Sequence, residues 1–186
     1  MRQIILKGKN IKLARFCAND SDILFKWHND FNLTVPLGDY AEVYHQPNSK
    51  QEAVELSQNE NSFAIVNNND ELLGICKLIN VDNATKMGSV QIYIGDMQNR
   101  NKGYGSEALK LLLKYAFESV RLNNIELGVY EYNSSAIKCY EGCGFVEFGR
   151  RRKCKIICRK RYDIIWMQIL LEDYKKRQAG VNNGLH

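Results

Sequence analysis

Arg100-Asn101-Lys102-Gly103-Tyr104-Gly105 lies between an apolar run, Val90-Gln91-Ile92-Tyr93-Ile94, and a strongly amphipathic segment. Strand, glycine-bearing turn and helix, in that order, build an anion cradle. Gly103 and Gly105 let backbone N–H groups face inward with no Cβ in the way. The first turn of the helix adds its unpaired N–H groups and the positive end of its dipole. A pyrophosphate suits such a site. The segment 106–122 reads as that helix: Leu109, Leu112, Leu113, Ala116 and Val120 share one face, and Glu107, Lys110, Lys114, Glu118 and Arg121 the other. Taken alone, Gly-x-Gly after a strand also fits other nucleotide folds and plain tight turns.

A second block narrows the choice. Arg100-x-x-Gly103-x-Gly105 resembles the acyl-CoA-binding signature, Arg/Gln-x-x-Gly-x-Gly/Ala, of the GNAT superfamily of N-acetyltransferases. Asn133-Ser134-Ser135-Ala136, continuing to Tyr140-Glu141-x-x-Gly144-Phe145, resembles that family's other cofactor segment, in the right order and at the right distance. Trp27-x-Asn29-Asp30 is similar to a segment of the branch that holds ribosomal-protein N-terminal and spermidine acetyltransferases. The resemblance runs over residues 4–172 and is specific over 87–145. It implies the GNAT acyl-CoA N-acyltransferase-like fold, acetyl-CoA as co-substrate, and transfer of the acetyl group to an amine. By the same resemblance, Arg100, Asn101, Lys102, Gly103, Tyr104, Gly105 and Ser106 would hold the phosphates. Tyr93 and Ile94 would offer backbone groups to the pantetheine arm and the carbonyl oxygen.

Composition is that of an ordinary soluble protein. A chain of 186 residues buries one real core, so one domain over residues 1–178 with a frayed tail over 179–186 is expected. No apolar run approaches the roughly 20 residues that span a bilayer. The amino-terminal residues carry no long apolar region and no small-residue cleavage site, so the expectation is a cytoplasmic protein. Six cysteines then read as reduced thiols. Cys139/Cys143 and Cys154/Cys158 are spaced C-x-x-x-C, on a predicted helix and in a predicted hairpin, where zinc ribbons favour C-x-x-C pairs in loops; no metal is expected.

In chain order, residues 4–15 read as a hairpin turning at Gly8-Lys9-Asn10, with Ile11, Leu13 and Phe16 inward. Asn19-Asp20 or Ser21 caps a helix to about Asn29. Residues 31–48 hold both prolines and no clean period, which predicts an irregular loop; 49–58 is a short helix. Strands follow at 62–66, 72–79 and 87–94, with a polar turn at 67–70. After the long helix come a strand at 125–130, a helix at 134–143 capped by Asn133 or Ser134 and ended by Gly144, a hairpin of 146–157 and 161–171, and a polar helical end at 172–178. This order predicts a mixed α/β fold: a mostly antiparallel sheet with helices on both faces.

Acyl transfer to an amine needs a neutral amine and a proton for the leaving thiolate. Asn133 and Tyr140 are seven residues apart, which on a helix returns to within about 20° of the same face. The Tyr140 hydroxyl is therefore a candidate general acid, phenol and thiol having similar affinity for a proton; the alternative is an amphipathic core tyrosine. The base is where the chain departs from the pattern. Many relatives carry Glu just before the strand 90–94, and this chain has Ser89. Water, or Asp39, Glu42, Tyr44 or His45 from the loop, remains to serve. Cys139 sits about 100° round the helix from Tyr140 and is not expected to act as a nucleophile.

Charge points to the acceptor. Residues 19–60 carry eight acidic and two basic groups, a net of −6, whereas 61–186 carry +6. Asp39, Glu42 and Ser89 are the candidate acceptor residues, and a polyamine, an amino sugar or a basic peptide N-terminus would each suit the acidic segment. Residues 150–161 hold eight basic groups and no acid. With no aromatic residue interleaved before Tyr162, nucleic acid is not the expected partner. The apolar run Ile164-Ile165-Trp166-Met167 would tolerate a homodimer. A peptide N-terminal acetyltransferase and a non-catalytic acetyl-CoA-binding module stay open beside the small-amine enzyme.

Overall fold

The computed structural model describes residues 2–38 and 46–183. Its elements run β1 (Ile4–Lys7), β2 (Ile11–Ala14), α1 (Ser21–His28), α2 (Phe31–Leu37), α3 (Gln46–Gln58), β3 (Ser62–Asn67), β4 (Leu72–Asp82), β5 (Met87–Ile94), α4 (Tyr104–Lys114), β6 (Asn124–Tyr130), α5 (Ser134–Cys143), β7 (Val146–Ile157), β8 (Lys160–Leu170) and α6 (Leu171–Asn183). The strands form one eight-stranded sheet in the order β1-β2-β3-β4-β5-β6-β8-β7. β5 and β6 pair in parallel; β1–β2, β2–β3, β3–β4, β6–β8 and β7–β8 pair antiparallel. The mixed, mostly antiparallel α/β fold is the one expected.

The chain divides into two compact units, each made of two segments. The first joins the residues up to Leu78 with Gln91–Leu112. Its core holds Phe16, Leu24, Trp27, Leu33, Val66 and Ile75. Ile11 and Leu13 alternate inward along β2, as a half-buried strand requires, and are fully buried. Asp20 does not cap α1 with its side chain. Its carboxylate turns instead to the guanidinium of Arg2, in two hydrogen bonds of 2.5 Å, and accepts the Cys17 amide at 2.8 Å.

Residues 31–37 are helical, not irregular. The Asp30 side chain accepts the Asn32 amide at 2.9 Å, and Gly38, at φ 89°, ends the helix in the left-handed conformation. Pro36 inside α2 removes the amide that would bond the Asn32 carbonyl. That carbonyl instead accepts Arg100 Nη1 at 2.9 Å, a contact no local pattern announces. α3 likewise begins at Gln46, with Pro47 in its first turn, where a missing amide costs nothing.

The second unit joins Ile79–Val90 with the residues from Leu113 on. α4 gives way at Tyr115 to a π turn, in which the Val120 amide bonds the Tyr115 carbonyl at 3.0 Å. The added residue rotates the face. Ala116 and Phe117 are buried, while Val120, expected inward, is only half-buried. At the carboxyl end the predicted frayed segment 179–183 is helical. Tyr174 anchors the start of that helix on Phe117 (ring centroids 4.8 Å apart) and on Glu118 Oε1 (3.0 Å). Among the described residues no helix is long and apolar enough to cross a membrane.

Gly95 lies directly against the indole of Trp27, which is 1% exposed and cannot yield. A Gly95→Ala variant is expected to lose about 1–3 kcal/mol of unfolding free energy, as overpacking of a closed core does. Urea titration of the variant beside the wild type checks this.

Candidate active site

In the first unit the chain leaves β5 through a short 3-10 turn, Met97–Asn99, closed by the Asn99 amide on the Asp96 carbonyl (3.0 Å). Asn101 (φ 59°) and Gly103 (φ 82°) then take left-handed conformations and turn the chain into α4. The helical ladder begins with the Glu107 amide on the Gly103 carbonyl at 3.0 Å, so the amides of residues 103–105 precede it. A Cβ at Gly103 would meet nothing within 4 Å, and one at Gly105 would meet only Ile94 Cγ1 at 3.8 Å. The chain itself therefore does not crowd out a side chain at Gly105. A phosphate brought against these amides would, and the arrangement fits such a group.

Arg100, the first residue of the motif, has a different place. Its Nε donates to the Ile94 carbonyl (3.2 Å), Nη2 to the Gly95 carbonyl (2.9 Å) and Nη1 to the Asn32 carbonyl (2.9 Å). Lys102 is exposed on the turn, and Tyr104, Gly105 and Ser106 form the first turn of α4. Tyr93 is half-buried and meets Trp27 edge-on at 6.0 Å. Glu107 accepts the Asn10 amide (2.8 Å) and Asn10 Nδ2 (3.0 Å), so α4 is tied to the β1–β2 turn. Burial would raise its carboxyl, but hydrogen bonds from the backbone of Asn10, Lys9 and Ile11 outweigh it and hold the group below the usual carboxylate range.

The second unit holds Asn133, Tyr140 and Ser89. Asn133 Oδ1 accepts the Ala136 amide at 3.2 Å and so caps α5, as expected; Gly144, at φ 104°, ends it. Tyr140 is half-buried against Phe145, ring centroids 6.0 Å apart. Burial first, and then the neighbouring thiols of Cys139 and Cys143, push its phenol above the ordinary tyrosine value. The phenol is protonated at neutral pH, as an ordinary tyrosine also is, and the shift moves its proton affinity away from that of a thiol.

Ser89 is 8% exposed and pairs in parallel register with Glu126 on β6; its hydroxyl donates to Glu126 Oε1 at 3.4 Å. Glu126 was not among the residues singled out from the sequence. Its signal was there: Ile125, Leu127 and Val129 alternate with it and are buried, which puts the carboxylate on the opposite face. Asp39, Glu42, Tyr44 and His45 lie outside the described residues. Of the remaining acidic segment, Glu52 pairs with His28 at 2.9 Å and Glu55 accepts Gln51 at 2.9 Å, which ties both to neighbouring side chains.

The basic hairpin also gains neighbours from afar. Tyr130 and Tyr132 stack at 5.3 Å, Tyr162 meets Tyr132 edge-on at 4.9 Å, and Lys155 and Lys160 lie over Tyr130 and Tyr162. Tyr130 at the end of β6 and Tyr132 just beyond it thus bring aromatic rings to the basic stretch 150–161, which has none of its own. Cys154 and Cys158 are exposed on it. Among the described residues no three His, Cys, Asp or Glu side chains converge as metal ligands would. A cleft of about 440 Å³ lined by Phe117, Glu118, Tyr174 and Gln178 contains none of the candidate residues.

Comparison with known proteins agrees with this geometry. Residues 10–146 match the family described as the acetyltransferase (GNAT) domain. The chain is 30% identical over 118 residues to the spermidine N(1)-acetyltransferase of Vibrio cholerae, covering 63% of this chain and 68% of that protein. It is 25% identical over 174 residues to p20, an uncharacterized N-acetyltransferase of Bacillus licheniformis, covering 91% and 97%. Among solved structures, spermidine N-acetyltransferase of Vibrio cholerae in complex with CoA and spermine has the same fold, with a TM-score of 0.79 at 23% identity over 90% of this chain and 99% of that one.

Arg100→Lys keeps the charge and loses the three-pronged geometry. Its unfolding free energy is expected to fall by at least about 2 kcal/mol, the scale of hydrogen bonds to a charged group. Thermal unfolding of the variant is the check.

Proposed function

The chain belongs to the GNAT acetyltransferases, enzymes that take their acetyl group from acetyl-CoA, and we propose that its acceptor is a small cationic amine of the polyamine type. The observation that carries the acetyl-CoA part of this reading is the opening turn of α4, where Gly103 and Gly105 leave room against amides that precede the helical ladder. The amides of residues 103–105 would hold the phosphates, with exposed Lys102 adding charge. Acetyl-CoA supplies a thioester carbonyl and a leaving thiol. The backbone of Tyr93 and Ile94 would face the acyl group, and Asn133 would fix the start of the helix that carries Tyr140.

Tyr140 is the proton donor in this reading. A thiolate left by the amine's attack takes the phenolic proton, and no covalent enzyme intermediate is needed. A polyamine is supported by the net charge of −6 over residues 19–60 and by the identity to a spermidine acetyltransferase. Asp39 and Glu42 belong to that segment, and we keep them as acceptor residues. Six cysteines, none in a disulfide among the described residues, suit a reducing cytoplasm, where we place the enzyme.

The deciding experiment is release of CoA thiol from acetyl-CoA against spermidine, spermine, aminoglycosides, amino acids and short peptides. Spermidine and spermine are expected to be turned over. Turnover of a peptide N-terminus alone would overturn the polyamine reading and favour a protein acceptor. Tyr140→Phe is expected to lower kcat by about 100-fold or more while acetyl-CoA affinity stays within about twofold. Because burial raises the Tyr140 phenol above its ordinary value of 10.0, its acid form persists as pH rises. The rate against spermidine should then show no falling limb between about pH 8 and 10. A limb there that Tyr140→Phe removes would contradict this.

A further inference from the structure

Glu126 sits in the middle of a sheet strand, and among the described residues no cation pairs with it. It is half-buried, and the residues in register on either side of it, Ser89 on β5 and Gln168 on β8, are both uncharged. Its one hydrogen bond among the described residues comes from the neutral Ser89 hydroxyl, at 3.4 Å. Gln168 is itself engaged, accepting Asn124 Nδ2 at 3.2 Å. Three other carboxylates have a cation: Asp20 is paired with Arg2, Asp70 with Lys12 and Asp96 with Lys26. A carboxylate drawn partly out of water costs free energy unless a cation or several donors meet it. On Glu126 the described residues provide one long hydroxyl bond. A cation bound from solution would complete it.

The pairing places this group with some care. The parallel ladder of β5 and β6 covers Met87↔Asn124, Gly88↔Ile125 and Ser89↔Glu126, and Ser89↔Glu126 is its last pair. Ile125 and Leu127 anchor β6 on the buried face, so the Glu126 side chain cannot swing through the sheet to find a lysine. The Ser89 hydroxyl holds one oxygen, which leaves the other for a ligand. Ser89 itself has no acid–base capacity near neutral pH, so a base at this point of the sheet has to come from the neighbouring strand.

We propose that Glu126 binds the ammonium group of the acceptor and acts as the general base of the reaction, with Ser89 as its positioning residue; this rests on the small-amine reading above. In the step, the ammonium N–H bond breaks, its electron pair stays on nitrogen, and the proton passes to Glu126. The nitrogen then forms the C–N bond to the acetyl carbon while the C–S bond breaks and the sulfur takes a proton from Tyr140; the second N–H proton, acidic once nitrogen is acylated, passes to the Tyr140 phenolate. Charge and protons balance: of the two protons the ammonium loses, one restores Tyr140 and the other leaves Glu126 for solvent, so each turnover releases one proton.

The test is the pH dependence of spermidine acetylation by the wild type, Glu126→Gln and the double variant Ser89→Glu/Glu126→Gln, with acetyl-CoA binding followed by calorimetry. Glutamine keeps the shape and the Ser89 hydrogen bond but takes no proton. At pH 7, kcat/KM of Glu126→Gln should fall about 100-fold or more, the usual worth of a positioned base. The loss should shrink by about tenfold for each pH unit as the free amine, with a pKa near that of lysine, becomes available without help. The double variant, with its carboxylate moved one strand over, should recover at least about tenfold of the loss at pH 7. Acetyl-CoA affinity should be unchanged throughout. A loss of the same size at every pH, or no loss, overturns the assignment of Glu126 while leaving the enzyme reading intact. A wild type that binds acetyl-CoA and is inert toward spermidine at every pH overturns both.

Discussion

The guanidinium of Arg100 bonds three backbone carbonyls at once, those of Ile94, Gly95 and Asn32. Two belong to the end of β5 and one to α2, so a single planar fork sets where the strand stops and where the helix lies. Planarity matters here, because five N–H donors fixed in one plane serve acceptors that come from separate directions. The Asn32 carbonyl needs that donor because Pro36 has none to give. Downstream of the fork the chain has only Asn101 and Gly103, both left-handed, in which to turn into α4. The turn into α4 thus follows directly on a side chain whose hydrogen bonds go to three backbone carbonyls.

Gly95 and Trp27 complete the same constraint from the other side. The backbone of Gly95 lies on the indole, and the Gly95 amide bonds the Leu73 carbonyl at 2.9 Å, so β5 leaves the sheet against a buried ring rather than against water. Close approach of this kind accepts no Cβ, which explains a glycine that no turn requires. Gly74 repeats the device one strand away, against the Tyr93 carbonyl. The strand that precedes the glycine turn is held by packing on both sides, and its last carbonyls by charge-assisted hydrogen bonds.

Electrostatics divide the polar side chains into those that hold structure and those that wait. Asp20 pairs with Arg2, and Glu107 caps the β1–β2 turn through Asn10; both carboxylates are used up inside the fold. Tyr140 and Glu126 are used up in neither sense. One is a half-buried phenol raised above its ordinary value, the other a half-buried carboxylate whose side chain meets a single hydroxyl among the described residues. In the proposed reaction they are the acid and the base, and both lie in the second unit.

Much of this was legible along the chain. The strand of residues 87–94 is β5 to the residue; Asn133 caps α5 and Gly144 ends it, because caps and left-handed glycines are local chemistry. The alternation of β2 and the leucine face of α4 followed from periodicity. α2 was illegible because two prolines and a broken period argue for a loop, and the donor that rescues it, Arg100, is sixty-eight residues away. The π turn escaped because one added residue leaves no mark in composition. Glu126 escaped because its meaning depends on a register. The sequence by itself determined which segments form strands and helices and which glycines and caps bound them, since those are set by neighbours a few bonds apart. Only the tertiary structure decided that Arg100 serves the backbone, that Tyr130 and Tyr132 join the basic hairpin, and that a carboxylate stands beside Ser89, since each depends on which strands pair and in what register.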